Sequence, residues 1–432
     1  LTDADTAGLI TVPTPEKGYA LHLYSFYLNS DRYTKGSLEV SGAGTFEVFV
    51  NNKPVGATSE LALEPHRYEV VIKYLTADTD TCPSTLTAKF KSEEEAKVIA
   101  SLDPKKRYTP RDILEGTQFR GTSVSPDGKY VLVKYYTRME GGKSEQYAQL
   151  RDAATGRILL QDKGFILTAD WMPTSSKMYF TRTGMNGKEL VTVDPATMQE
   201  EILAENLPEG SFSFTPDEKT LLYTIQEEGP KDGPDMLRIL EPNDRLPGFR
   251  NRYFIWRYDL QTGLYEQLTY GHNNTFINDV SADSRYLLFS TSEQDYTSLP
   301  HSSNSMYKLD LQSMAVDTLW ERAKYINGAT FSPDGKQLMV FGSGNAFDNI
   351  GLNIKEGQIS NTYDGQLFLY DPATRKAKAL TKDFNPNVTS AQWNKFDGQI
   401  YMLTEDQDYQ RVYTCNPANG KIRRFDLTEE VI

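Results

Sequence analysis

Apolar and polar residues alternate along most of this chain. YALHLYSFYL (Tyr19 to Leu28), GTFEVFVNNKPVG (Gly44 to Gly56) and HRYEVVIKYL (His66 to Leu75) each repeat with a period of two, as strands with one buried face do. Asn51-Asn52 falls between two such runs, where a hairpin turn takes positive φ. Residues 1–91 therefore predict a small antiparallel β-sandwich. Residues 92–116 break the alternation. Ser92 with Glu95 forms a capping-box pattern, and Thr109, Pro110 and Gly116 supply a cap, a first helical residue and a stop. This predicts two short helices as a linker, with the domain boundary near residue 105.

From Thr117 onward two turn types alternate. Tight turns recur at SPDGK (Ser125), MPTSSK (Met172), TPDEK (Thr215), SADSR (Ser281), SPDGK (Ser332) and NKFDGQ (Asn394). Each precedes an apolar alternating run: YVLVKYY, MYFTRT, TLLYTI, YLLFSTS, QLMVFGS and IYMLTE. A second turn follows each run, at RDAATGR, VDPATMQ, YDLQTGL, LDLQSMA, YDPATRK and CNPANGK. Pro presets φ for a turn, Asp bonds its own backbone, and Gly takes the left-handed position. Two hairpins per repeat imply four antiparallel strands. The first turns lie 47, 43, 66, 51 and 62 residues apart, so the base period is in the forties with insertions in the longer repeats. A four-stranded repeat of that length is a β-propeller blade. The fold class is thus all-β: a sandwich over 1–91, a helical linker over 92–116, and a propeller over 117–432. Six blades are recognisable, and a full protein would hold seven or eight if the repeat continued.

These repeats resemble the propellers of TolB-like proteins and of the prolyl oligopeptidase/dipeptidyl peptidase family. KRYTPRDILEG, the first blade that follows it and LEPNDRLPGFRNRYFIWRYDLQTGLYEQLTYG (Leu240 to Gly271) are similar to secreted dipeptidyl-peptidase-type serine enzymes of Bacteroidetes-like bacteria. The sandwich resembles accessory modules of the galactose-binding-like type, through VNNKPVG and LALEPHRYEVVIKY. The peptidase resemblance implies a propeller that gates or positions peptides for a C-terminal α/β-hydrolase domain. It also implies a periplasmic or secreted bacterial protein whose signal peptide has been removed. The alternative reading is a stand-alone TolB-like propeller that docks a partner protein or a glycan, and a homo-oligomer fits either.

The catalytic chemistry of that family is not in these residues. No G-x-S-x-G nucleophile elbow occurs, and the only histidines are His22, His66, His272 and His301. His22 and His66 fall in sandwich strands, His272 and His301 in loops, so no Ser-His-Asp triad can be assembled. The chain also ends where another blade would begin, from which the hydrolase domain is expected to lie outside it. In dipeptidyl peptidase relatives paired propeller glutamates hold the substrate ammonium. The comparable pair here is Glu227-Glu228, in YTIQEEGPKDGPD, with Arg245, Arg250 and Arg252 in the same insertion.

Composition narrows partners further. There are 59 acidic and 46 basic residues, a net charge of −13, and nucleic acid requires the opposite sign. No run of eighteen apolar residues spans a membrane. Cys82 and Cys415 alone make neither a disulfide framework nor a zinc site. The Asp-rich turns lack the dense carboxylate spacing of calcium loops. No metal or cofactor is expected.

Overall fold

Asn51 and Asn52 adopt φ 46° and 63°, the left-handed pair that a two-residue hairpin needs to match strand twist. They join Thr45–Val50 to Lys53–Val55. Around this hairpin the computed structural model builds the expected sandwich; it describes residues 9–30, 32–80, 84–92, 98–103, 105, 114, 116–139, 143–231, 233, 236 and 238–427. One sheet orders Leu9–Val12, Ser84–Ser92, Thr34–Gly42 and Thr58–Leu63; the other has five strands, Lys53–Val55, Thr45–Val50, Arg67–Ala77, Tyr19–Ser30 and Val98–Ser101. Val12, Leu38, Val40 and Leu86 of the first sheet share one core with Leu28, Val48, Val50, Val70, Ile72 and Tyr74 of the second. The Tyr74 hydroxyl accepts the Gly44 N–H at 2.5 Å. A Cβ at Gly42 or Gly44 would stand 2.8 Å from the tyrosine ring, so these glycines make room for it.

The linker departs from expectation. Val98–Ser101, placed within a helix by the capping pattern, is a strand antiparallel to Tyr27–Ser30. Its Val-Ile pair gains more from filling a sheet edge than a short isolated helix gains from its cap. Glu95, Thr109 and Pro110 lie outside the described residues. The chain divides into two compact units, 1–118 with 136–145, and 119–135 with 146–432.

Six four-stranded sheets follow, each made of consecutive strands. Blade 1 comprises Gly116–Val124, Tyr130–Arg138, Ser144–Asp152 and Ile158–Asp162; blade 2 Asp170–Trp171, Met178–Gly184, Gly187–Val193 and Glu200–Ala204; blade 3 Ser211–Phe214, Thr220–Glu227, Arg252–Asp259 and Tyr265–Gln267. Blade 4 comprises Thr275–Val280, Tyr286–Gln294, Ser302–Asp310 and Val316–Ala323; blade 5 Ile326–Phe331, Leu338–Ser343, Gly365–Asp371 and Lys376–Ala379; blade 6 Asn387–Trp393, Ile400–Asp406, Tyr409–Cys415 and Ile422–Arg424. Alternate faces of each blade feed different cores. Leu221 and Tyr223 pack toward blade 2, while Leu222 packs with Leu287 and Phe289 of blade 4.

The repeated turns are one hydrogen-bonded unit. In blade 4, Ser281 Oγ donates to Asp283 Oδ1 (2.6 Å) and accepts the Tyr286 N–H (2.8 Å), and Asp283 Oδ1 accepts the Arg285 N–H (3.2 Å). Ser125, Thr215 and Ser332 repeat the arrangement with Asp127, Asp217 and Asp334. The turns are also laced between blades. The Asp127 N–H donates to Ser176 Oγ (3.1 Å), the Asp217 N–H to Ser284 Oγ (2.8 Å), and Glu218 Oε1 accepts the N–H groups of Thr174 and Ser175 (2.7 and 2.6 Å). The aspartates are fully used by the turns.

Candidate functional site

Consecutive antiparallel strands put connections alternately at the two ends of a blade. The two repeated turns occupy one end. The connections from second to third strand, and from one blade to the next, occupy the other. Both long insertions predicted from repeat spacing fall at this second end, as residues 228–251 of blade 3 and 344–364 of blade 5. Cavities gather there.

One, about 580 Å³, lies between blades 4 and 5 and is lined by Asn278, Ser292, Asn304, Tyr325, Asn327, Ser343 and Tyr363 among others. A second, about 340 Å³, runs along the first strands of blades 4, 5 and 6, with Ala329, Thr389 and Ser390 in its wall. Ile277, Asn278 and Asn327 line both. First strands surround the axis of a propeller, and the two cavities adjoin at these shared residues, a passage bounded by blades 4, 5 and 6. No carboxylate, histidine or cysteine is in either lining. The passage can therefore bind through neutral hydrogen bonds, and its acid–base groups are two phenols, Tyr325 and Tyr363.

Its walls are set by inter-blade bonds. Asn278 Nδ2 donates to Ser290 Oγ (2.8 Å), and the carboxylate of Asp279 accepts the Val280 N–H (2.8 Å) and, across the blade boundary, the Phe331 N–H (2.7 Å). Burial raises the Asp279 carboxyl above its ordinary value, against the pull of these two donors. The rim beside it contains three successive left-handed residues, Phe347, Asp348 and Asn349 (φ 49°, 58° and 67°). Such a turn costs about 1–2 kcal/mol per residue, less for Asp and Asn. It persists because Phe347 is packed against Trp320, Phe368 and Tyr370, with centroids 5.6–5.8 Å away. Ser343, 6% exposed, is among the residues of the larger cavity, and its Oγ is buried with no partner among the described residues.

Glu227 and Glu228, the pair singled out from the sequence, sit at this same end in blade 3. Glu227 ends its second strand and Glu228 follows. Both line a pocket of about 270 Å³ with Arg250, Arg252, Phe254, Gln267, Tyr270 and Gly271. Glu228 is ion-paired with Lys231 at 2.9 Å, both well exposed, and that bond lowers its carboxyl; such a pair contributes little to stability. Glu227 Oε1 accepts only Gln267 Nε2, at 3.2 Å. Arg250 is clamped by buried Asp244, with Nε to Oδ1 at 2.7 Å and Nη2 to Oδ2 at 2.8 Å. The clamp holds the Asp244 carboxyl far below the usual carboxylate range. Arg245 does not line the pocket. His272 lends its carbonyl to Arg252, His301 stacks loosely on Tyr296, and His22 Nε2 bonds Thr76 Oγ1 at 2.9 Å. Sequence reasoning missed the blade 4–5 passage altogether, because its residues come from six strands of three blades and from the blade 5 insertion.

A family description, the SMP-30/gluconolactonase/LRE-like region, matches residues 168–432, more than half of the chain. The chain belongs to this family. Comparison with curated proteins finds no match. Among solved structures the chain is similar to the acylaminoacyl peptidase of Pyrococcus horikoshii, at 13% identity over 69% of this chain and 44% of that one, with TM-score 0.46. It is also similar to the β-propeller domain of the trilobed protease from Pyrococcus furiosus, described as having an open velcro topology (12%, 72% and 83%, TM-score 0.44). TolB from Acinetobacter baumannii is a further likeness (14%, 73% and 64%, TM-score 0.38). The chain spans less than half the length of the acylaminoacyl peptidase it matches. Among the described residues, no group of three or more His, Cys, Asp or Glu is placed to hold a metal ion, and no helix is long and apolar enough to cross a membrane.

Proposed function

We propose that this chain is the non-catalytic, peptide-positioning part of a periplasmic or secreted serine exopeptidase of dipeptidyl-peptidase type. Its propeller holds short peptides for an α/β-hydrolase domain lying outside these 432 residues. The observation that supports this most is the uncharged polar passage between blades 4 and 5, whose wall carries Asn278, Ser292, Asn304 and Asn327. A peptide backbone offers neutral donors and acceptors to such a surface, and a few convergent polar groups are what orient a ligand. A lining of neutral side chains fits the positioning of a ligand.

Calorimetric titration with an N-acetylated, C-amidated tetrapeptide tests the reading. The wild-type chain should bind it, and Asn327→Ala, at a residue that lines both cavities, should weaken binding about tenfold, about 1.4 kcal/mol. Asn327 is exposed, so the same substitution should leave folding stability within about 0.5 kcal/mol of wild type. The pure chain should not turn over Xaa-Pro or Xaa-Ala chromogenic dipeptides. Absence of peptide binding, or turnover by the pure chain, overturns the reading; binding of a neutral oligosaccharide in place of the peptide favours the stand-alone propeller.

A further inference from the structure

One long strand of the sandwich is paired on both sides over only part of its length. Tyr19–Ser30 runs antiparallel to Arg67–Ala77 on one side, but on the other Val98–Ser101 covers only residues 27–30. The Ser30 N–H donates to the His66 carbonyl (3.0 Å) and the Asp78 N–H to the Gly18 carbonyl (2.9 Å). Antiparallel ladders alternate bonded and unbonded pairs, so the even-numbered residues of this strand turn their backbone groups toward Arg67–Ala77. Tyr19, Leu21, Leu23 and Ser25 turn theirs the other way, where no strand among the described residues pairs with them. Their side chains stand on the outer face of the sheet. Tyr19, Leu21 and Leu23 are 78%, 62% and 64% exposed, and Leu75, directly opposite Leu21, widens the apolar patch. Proteins blunt a bare edge with charge, proline or brevity. The other edge of this sheet, the three-residue Lys53–Val55, has all of these. Residues 19–26 have no proline, lysine, arginine or acid among them.

We propose that this edge is the interface of a two-fold dimer, covered by the same edge of a second copy of the chain. Leu21-His22-Leu23 reads the same in both directions. An antiparallel pairing with its two-fold at His22 sets Leu21 against Leu23 of the second copy, and Tyr19 against Ser25. These are the residues whose backbone groups point outward, so each opposed pair exchanges two bonds, about eight in all. On the outer face the four leucines meet across the two-fold and leave water together. Charge fits the same register: exposed Lys17 of each copy arrives where Val98–Ser101 of the other ends, two residues before exposed Asp103. The two sheets become one continuous sheet, and because both bare edges are used at once, association stops at two copies. About seven residues a side is fewer than the roughly 20–30 of a standard interface, so dissociation is expected in the micromolar range.

Sedimentation velocity of the whole chain between about 1 and about 200 μM tests it. The wild-type chain should pass from monomer to dimer over this range. Hydrogen exchange at the Leu21 and Leu23 amides should slow at least tenfold as it does so, a readout that needs no substitution. Leu21→Lys combined with Leu23→Lys sets like charges against each other at both leucine pairs and should leave a monomer throughout. Leu21→Lys combined with Leu23→Glu sets opposite charges against each other in this register and should restore the dimer. Both leucines are exposed, so neither variant should shift the urea midpoint of the monomer. A wild-type chain still monomeric at about 200 μM overturns the inference. So does a dimer that survives the two lysines, one that forms without slowing exchange at Leu21 and Leu23, or a lysine–glutamate variant that stays monomeric.

Discussion

Ser332 offers a direct measurement of the turn unit on which the propeller is built. Its hydroxyl is 3% exposed; it donates to Asp334 Oδ1 at 2.7 Å and accepts the Gln337 N–H at 3.0 Å. Ser332→Ala leaves that N–H without its acceptor. A buried orphan donor costs about 1–3 kcal/mol, and Gln337 is half-buried, so water recovers part of it. The Asp334 side chain is 59% exposed, and its lost bond adds little. The expected loss is about 1–1.5 kcal/mol. Ser332→Thr keeps the hydroxyl, as Thr215 does in blade 3 with 2.6 Å to Asp217 and 3.2 Å from the Thr220 N–H. It should stay within about 0.5 kcal/mol of wild type. Urea unfolding followed by tryptophan fluorescence is the assay, because Trp171, Trp256, Trp320 and Trp393 all lie in the propeller. Combining Ser125→Ala with Ser332→Ala should add, since the sites are far apart. If Ser332→Ala matched wild type, or Ser332→Thr were as damaging, the turn would owe its form to sterics and not to the hydroxyl.

Two further outcomes follow from backbone and burial. Met314 occupies the left-handed position of its turn at φ 58°, where Gly263 stands in blade 3 at φ 72°; Met314→Gly should raise the urea midpoint by relieving about 1 kcal/mol of strain, and a lower midpoint would refute this. Asp279 and Asp310 should respond to pH with opposite sign. Burial raises Asp279, so its contribution is complete below the unfolded value of about 3.9 and fades as pH climbs through the higher folded one. Arg285 holds Asp310 down to about 2, so its contribution is complete above about 3.9 and is lost as pH falls toward 2. The stability gap between wild type and Asp279→Asn should therefore narrow with rising pH, and that between wild type and Asp310→Asn with falling pH. Parallel slopes in urea midpoints would refute the assignment.

What the sequence conveyed was whatever is local. Ser125 to Lys129 and its echoes announce their turns because the residues that bond one another are two to five positions apart. Asn51-Asn52 is legible for the same reason. Val98–Ser101 was misread because a strand at a sheet edge depends on Tyr27–Ser30, some seventy residues away. Glu227 was singled out by analogy, and its register partner Arg252 lies beyond a long insertion, so only the ladder sets the two opposite each other. The passage between blades 4 and 5 is farther still from legible. Asn278, Ser343 and Tyr363 are unremarkable strand-end residues until three blades meet.

No described blade borrows a strand from another. During synthesis, at roughly 5–20 residues per second, each sheet can complete its own ladder as soon as its last strand leaves the ribosome. A ring sewn together by exchanged strands would instead keep a sheet edge open until the final residues arrived. Within the propeller, the growing chain therefore holds only its current blade unfinished at a time, which shortens the interval in which a neighbouring nascent chain could pair with it.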